Sequence, residues 1–403
     1  MLFCAAKETA HRHDQPSRSR SRRLVYSFIV LFLALLVIEL GLQFFFFMRG
    51  KIHPFYQQAL HISPYANLDW PQEYFTEERR TKNQFVPYRM WCRQEFQGRH
   101  LNISSEGLRR TWNPPVPSNQ ALKKIFCFGG STTWGVGARD DFTIPSLLSK
   151  KLNQGAPHYL VTNYGEKGYC LTQEIVYLTL LLKQGRVPDY VIFYDGINEV
   201  MVGYKNKKAG SIFGVDYMRR RLYHQDTVAE HLTQIWRRSG LYRGTKELKD
   251  LVKAPFKTDQ PLTPEDNQTL ERLADDIVAD YLRNMELVHH LARAYGFQYL
   301  FIWQPALCTN QALTAEEKQL AAWSNKRMVR LYELVYARMA RVQRPRFYNI
   351  ATMFDRKKNT LYFSWAHITE EGNSQVAARL ARIFQQEFPS DFATPPGGRP
   401  NPG

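Results

Sequence analysis

Cysteine is scarce in this 403-residue chain. The five present, Cys4, Cys92, Cys127, Cys170 and Cys308, show none of the paired spacing of a zinc or iron–sulfur site. Nor do they form a disulfide framework. An oxidising compartment would permit one bridge among the outer cysteines, but nothing in the spacing asks for it. Cys127 lies inside an apolar run and reads as a small buried hydrophobe. No metal cluster and no glycine-rich nucleotide loop is evident, so no cofactor and no metal are expected. Acidic residues are also in deficit, 37 against 54 basic ones, for a formal charge of +17. Long hydrophobic runs are limited to one.

That run, Leu24 to Met48, is interrupted only by Glu39 and Gln43 among strongly polar residues. About 25 residues at 1.5 Å rise give roughly 37 Å of helix, enough to cross a bilayer with some tilt. It ends in Phe44-Phe45-Phe46-Phe47-Met48-Arg49 rather than a small-residue cleavage site, which points to an uncleaved anchor rather than a signal peptide. Residues 1–23 carry Lys7, Arg12, Arg18, Arg20, Arg22 and Arg23, whereas the far flank opens with only Arg49 and Lys51. Basic flanks stay cytoplasmic, so the rest of the chain is expected outside the cytoplasm, in a bacterium the periplasm. The basic tail should lie on anionic lipid. Nucleic acid suits such a compartment poorly. An anionic polysaccharide or a lipid headgroup surface fits the remaining positive charge, as does a solvated face with no specific partner. Glu39 inside the span is open to a partner helix or to snorkelling as a neutral acid.

Chemistry is concentrated in four short blocks. Lys124-Ile125-Phe126-Cys127-Phe128 reads as a buried strand that breaks at Gly129-Gly130 before Ser131-Thr132-Thr133. A serine at such a turn suits a nucleophile; the turn equally suits a helix start capped by Ser131 or Thr132. Gly165-Glu166-Lys167-Gly168 follows the strand-like Tyr159–Tyr164, and Asp195-Gly196-Ile197-Asn198-Glu199 follows Tyr190–Tyr194. Trp365-Ala366-His367 precedes Thr369-Glu370-Glu371-Gly372-Asn373 and a final helix. In this order the blocks resemble the SGNH or GDSL-like hydrolases, over roughly Lys123 to Phe388.

Between the blocks, strands alternate with helices. Strands are expected at Lys124–Phe128, Tyr159–Tyr164, Tyr190–Tyr194, Phe297–Trp303 and Phe347–Ala351. Helices are expected at Ile144–Leu152, Glu174–Leu182, Pro264–Ala294, Ala315–Arg341 and Glu370–Phe388. The pattern implies an α/β domain with a parallel sheet covered on both faces, and the resemblance implies a three-layer, flavodoxin-like arrangement. The expected order is a basic tail (1–23), one transmembrane helix (24–48), an irregular or short-stranded membrane-proximal region packed on the main domain (49–117), the hydrolase-like domain (118–390) and a disordered tail (391–403). Pro114–Pro117 reads as a stiff connector, and 200–264 as a helical insertion or cap. Ligands in such sheets bind at the carboxyl ends of the strands, where Ser131, Gly168 and Asn198 all fall.

The resemblance implies Ser131 as nucleophile and His367 as general base. It further implies an oxyanion hole from the Ser131 and Gly168 amides and the Asn198 side chain. The family's usual aspartate three residues before the histidine is here Ser364. A hydroxyl can orient the ring but cannot stabilise an imidazolium by charge; Asp355 and Glu370 are the nearest acids by sequence that could substitute. Glu199 and Gly130 also stand where relatives often carry aspartate. These features imply a membrane-anchored esterase acting outside the cytoplasm on an acyl or acetyl ester of a glycan or lipid-linked substrate. An O-acyltransferase acting on a surface polysaccharide, or a catalytically weak envelope interaction protein, remain open.

Overall fold

The computed structural model describes residues 17–49, 59–115, 121–155, 158–215, 218–219, 228–253, 261–322 and 325–392. The chain divides into two compact units, Ile52–Arg220 with Asp259–Gly403, and Met1–Lys51 with Arg221–Thr258. In chain order, α1 (Ser17–Arg49) belongs to the smaller unit. After a single helical turn at Ser63–Ala66, the larger unit continues with α2 (Pro71–Arg80) and two short antiparallel hairpins. These are β1 (Asn83–Val86) with β2 (Met90–Arg93), and β3 (Phe96–Gln97) with β4 (Asn102–Ile103). There follow β5 (Lys123–Gly129), the short α3 (Ser131–Trp134), α4 (Ile144–Leu152), β6 (Tyr159–Asn163) and α5 (Leu171–Lys183). Next come β7 (Tyr190–Asp195) and α6 (Ile197–Asn206). In the smaller unit lie α7 (Val228–Arg238) and α8 (Gly240–Lys253). The larger unit resumes with α9 (Pro264–Tyr295), β8 (Gln298–Trp303), α10 (Ala315–Ala321), α11 (Lys326–Met339), β9 (Phe347–Asn349) and α12 (Glu370–Glu387).

Five strands form one parallel sheet in the order β6-β5-β7-β8-β9. This is the flavodoxin-like order, with its switch point at the carboxyl end of β5, where the chain goes to β6 on one side and β7 on the other. Alternate side chains divide the core into two layers. Phe126 and Phe128 of β5, with Phe193 and Phe301 from its neighbours, bury against α5, α9 and α11. Ile125 and Cys127 point the other way, with Ile192, Tyr194, Leu300 and Ile302, against α4 and α12. Phe128, Phe193 and Phe301 stack across three strands, with centroids 5.4 and 4.9 Å apart. Such a ladder pins the register of the central strands.

Two expectations are corrected by the structure. The helix expected at Ala315–Arg341 is two helices: α10 ends at Ala321, and Asn325 caps α11 by accepting from the Met328 amide at 3.2 Å. In the membrane-proximal region, α2 and the short hairpins bury Tyr65, Trp70, Tyr74 and Phe75 against Trp134 and Phe363. Order also reaches past the expected start of the disordered tail. The Asp391 carboxylate accepts from Lys123, Tyr159 and Tyr190 at 2.5 to 3.1 Å, tying the end of α12 to the sheet. The rest of that tail, 393–403, and part of the proline connector lie outside the described residues, as do residues 1–16 of the basic tail.

A buried arginine fastens the membrane-proximal region to the turn after α3. Arg109 donates to the Asp140 carboxylate at 3.1 Å and to the Gly135 and Ala138 carbonyls at 2.6 and 2.5 Å, over the Trp134 ring. Both charges are withdrawn from water. Replacing one partner of such a pair leaves the other uncompensated, which costs about 3–5 kcal/mol. Arg109→Met should therefore lower the urea midpoint sharply. An unchanged midpoint would contradict this role for Arg109.

Candidate active site

The turn between β5 and α3 is shaped by close approach. A Cβ on Gly130 would stand 2.2 Å from the Asn198 amide nitrogen, so glycine there lets the β7–α6 turn reach the serine. A side chain at this position would not fit the arrangement. The second loop folds over the same turn: the Glu166 amide donates to the Gly129 carbonyl at 3.0 Å and the Tyr169 amide to Glu166 at 3.1 Å. Gly168 sits in that loop at φ +82°, a left-handed conformation that favours glycine. Asn198 in turn donates to the Tyr169 carbonyl at 2.7 Å. A planar amide has two N–H donors, so one remains for a ligand.

His367 arrives from the segment before α12. Its Nε2 lies 2.8 Å from Ser131 Oγ, and its Nδ1 lies 2.9 Å from Ser364 Oγ. Phe363 stacks on the ring at 5.7 Å. Sequence reasoning offered three orienting groups, and the structure separates them. Ser364 stands against the imidazole; Asp355 accepts from the Gln311 amide; Glu370 is held by the Arg139 amide and guanidinium at 2.8 to 3.0 Å. Ser131, Asn198, the Gly168 loop, Ser364 and His367 therefore meet at the carboxyl edge of the sheet, around the switch point.

Ser364 carries a second consequence. Its oxygen accepts from the Ala366 and His367 amides at 3.2 and 2.9 Å. Two lone pairs are thereby occupied, so the hydroxyl proton is directed at Nδ1. That arrangement puts the ring proton on Nε2, facing Ser131. A carboxylate at 364 would reverse the tautomer.

Several buried charges lie beneath the site, some of them inside the sequence blocks and some far from them. Lys167 pairs with Glu78 and sits over the Trp134 ring at 4.3 Å. Glu166 accepts from the Arg93 amide at 3.0 Å, and burial pushes its pKa up to about 7 despite Arg93. Glu199 bridges two loops, accepting from the Leu171 amide at 2.9 Å and the Gly196 amide at 2.7 Å. Burial raises Glu174, Asp195 and Glu199 above the ordinary carboxylate range. Glu166, Lys167, Asp195 and Glu199 fall inside the blocks read from the sequence; the partners at 78 and 93 lie outside them. No group of side chains suited to a metal occurs among the described residues. Cys92, Cys127, Cys170 and Cys308 are free thiols.

Beside the Gly168 loop runs an open groove lined by Phe85, Met90, Trp91, Gly168, Phe213 and Met218, with a few polar groups at its edge. Trp91 is fixed there by its indole N–H, which donates to the Lys167 carbonyl at 3.0 Å.

No family model matches this chain, and no curated protein does. Solved structures resemble it distantly. An acetyl xylan esterase, AlAXEase, is 12% identical at a TM-score of 0.37, with 64% of this chain and 98% of the esterase covered. A member of the lipolytic protein G-D-S-L family from Veillonella parvula DSM 2008 is 14% identical at 0.34, covering 66% and 100%. An alpha/beta hydrolase enzyme from the metagenome of Lake Arreo, Spain, is 17% identical at 0.31, covering 66% and 98%. Likenesses this distant leave the chemistry to be argued from the site itself.

Burial, reinforced by the Lys167 charge, lowers the His367 pKa to about 3. The ring should therefore stay neutral through the mildly acidic range, which ¹⁵N NMR of the imidazole will report. Unfolded, the same ring binds a proton near pH 6.5. The unfolded state then holds the extra proton, so stability should fall as pH drops below that value. Ser364→Asp should raise the pKa and move the proton to Nδ1. An ordinary titration near 6.5 in the unsubstituted protein would contradict the account.

Proposed function

We propose that this protein is a serine ester hydrolase, anchored to a membrane by α1 and working outside the cytoplasm. The observation that carries the reading is the 2.8 Å contact between Ser131 Oγ and His367 Nε2, beside the Asn198 amide, at the ligand-binding edge of the sheet. The anchor rests on α1, whose stretch Arg22–Met48 is long and apolar enough to cross a bilayer. The orientation rests on the basic flank before it.

The reaction follows from these groups. His367 removes the Ser131 proton as the oxygen attacks the ester carbonyl carbon. The negative oxygen that develops is met by the second N–H of Asn198 and by the Ser131 and Gly168 amides. Each such donor is commonly worth ~10²–10³ in rate. His367 then protonates the leaving alkoxide, leaving an acyl group on Ser131. Water, deprotonated by the same imidazole, releases the acid and restores the serine. General-base work needs a free Nε2, so the ring must first shift its proton to Nδ1. With Ser364 in place of an acid that shift is unfavourable, and turnover is slowed rather than abolished.

The apolar groove beside Gly168 favours an ester whose acyl part is a chain of several carbons, as on a lipid-linked or acylated glycan substrate. An aromatic side chain packed on such a chain contributes about 1.5 kcal/mol, near tenfold in kcat/KM. A panel of p-nitrophenyl esters tests this. Octanoate should be preferred to acetate, Phe213→Ala should lower octanoate turnover about tenfold and spare acetate, and Ser131→Ala should lose at least ~10³ with both. Ser364→Asp should be faster than the unsubstituted protein. Full activity in Ser131→Ala would refute the mechanism; equal use of both esters would refute the acyl groove. Transfer of the acyl group to an added sugar hydroxyl in preference to water would convert the reading to an acyltransferase.

A further inference from the structure

We propose that α7 and α8 form a helical hairpin that lies in the lipid bilayer, seated on the transmembrane helix α1 through Glu39. The inference rests on the membrane-spanning reading of α1 and extends it to a segment more than 170 residues away.

Glu39 is the polar interruption in the span. Its carboxylate accepts from the Gly240 amide at 2.7 Å and the Leu241 amide at 2.9 Å, the first N–H groups of α8. Gln43, one turn on, donates to Glu39 at 2.9 Å and to the Arg238 carbonyl at the end of α7 at 3.1 Å. Both helix ends at the hairpin corner are thus satisfied by side chains of α1. A carboxylate at an α8 N-terminus also meets the positive end of its dipole. Glu39 lies nine residues before Met48, roughly 14 Å along the helix by its rise per residue. An unpartnered carboxylate there would be costly in hydrocarbon; these donors remove the cost.

The backbones come together closely. A Cβ on Gly240 would stand 2.7 Å from Leu42 Cβ and 3.0 Å from the Gln43 nitrogen, and Gly244, one turn later, also faces Leu42. Glycines four apart are how helices pack within membranes, where contact rather than water exclusion holds them.

The hairpin's own surface identifies what covers it. Val228, Leu232, Ile235 and Trp236 recur at helical spacing along one face of α7, and all are exposed, as is Leu248 on α8. The remaining faces carry Arg237, Arg238, Arg243, Lys246 and Lys249. An apolar face rimmed by basic side chains fits an anionic bilayer, with the stripe among acyl chains and the long basic stems reaching the headgroups. The lipid around α1 is continuous with that stripe, because Glu39 holds the hairpin against the span itself.

The test uses the full chain in vesicles of phosphatidylethanolamine and phosphatidylglycerol, with benzoylphenylalanine placed singly at Phe32, Ile235 or Lys249. After illumination, lipid adducts are counted by mass spectrometry. Positions 32 and 235 should label comparably, and position 249 about fivefold less. Gly240→Leu, which blocks the close approach, should reduce labelling at 235 and leave 32 unchanged. Labelling at 32 without labelling at 235 overturns the hairpin proposal while the span stands. Absence of labelling at 32 overturns both.

Discussion

The structure depends on one hydrogen bond between residues 236 positions apart, the one that joins Ser131 Oγ and His367 Nε2. Neither partner is held by its own neighbours alone. Ser131 is fixed by the end of β5, an inner strand of a sheet whose register is set by stacked phenyl rings. His367 is fixed by the segment before α12, which the Arg139–Glu370 pair ties to the turn after α3. The parallel order matters because it brings the ends of β5, β6 and β7 to one edge. The serine, the Gly168 loop and Asn198 then share that edge without any long connection.

That edge is heavily charged underneath, an expensive arrangement. Glu199 offsets part of the cost by satisfying the first amides of α5 and α6 together, so the loops bearing Gly168 and Asn198 are joined through one carboxylate. Lys167 and Glu78 compensate one another, as do Arg109 and Asp140. The same burial depresses the basicity of His367, and Ser364 supplies no countercharge. A weakly basic imidazole remains neutral over a wide pH range but takes a proton from serine reluctantly. Slow, pH-insensitive turnover is the physical signature of this pairing.

Much of the scaffold was legible because buried parallel strands leave a strong mark. Runs such as Tyr190–Tyr194 and Phe297–Trp303 are apolar almost throughout, and the glycine or proline after each marks the turn. The four blocks were legible for the same reason, since each follows a strand end or opens a helix. What could not be read is set by contacts distant in sequence. Arg109 and Glu78 sit in polar stretches, and only the fold shows that both are buried, Arg109 against Asp140 and Glu78 against Lys167. The break between α10 and α11 was hidden because their apolar spacing is nearly in phase, and an asparagine cap decided it. Glu39 was noticed as an oddity within the span, but Gly240 and Leu241 could not be found from the sequence as its partners. Gly130 marks a turn in the sequence, and the structure shows in addition that its missing side chain admits Asn198.

The central claim is that Ser131 is made nucleophilic by His367. A fluorophosphonate reacts with such a serine and with few unactivated ones, so peptide mapping of the adduct is the most direct measurement. The account predicts a single phosphonylated peptide carrying Ser131, lost when His367 is replaced by alanine in folded protein. Modification of another serine, or undiminished modification of Ser131 in the His367→Ala variant, would contradict it.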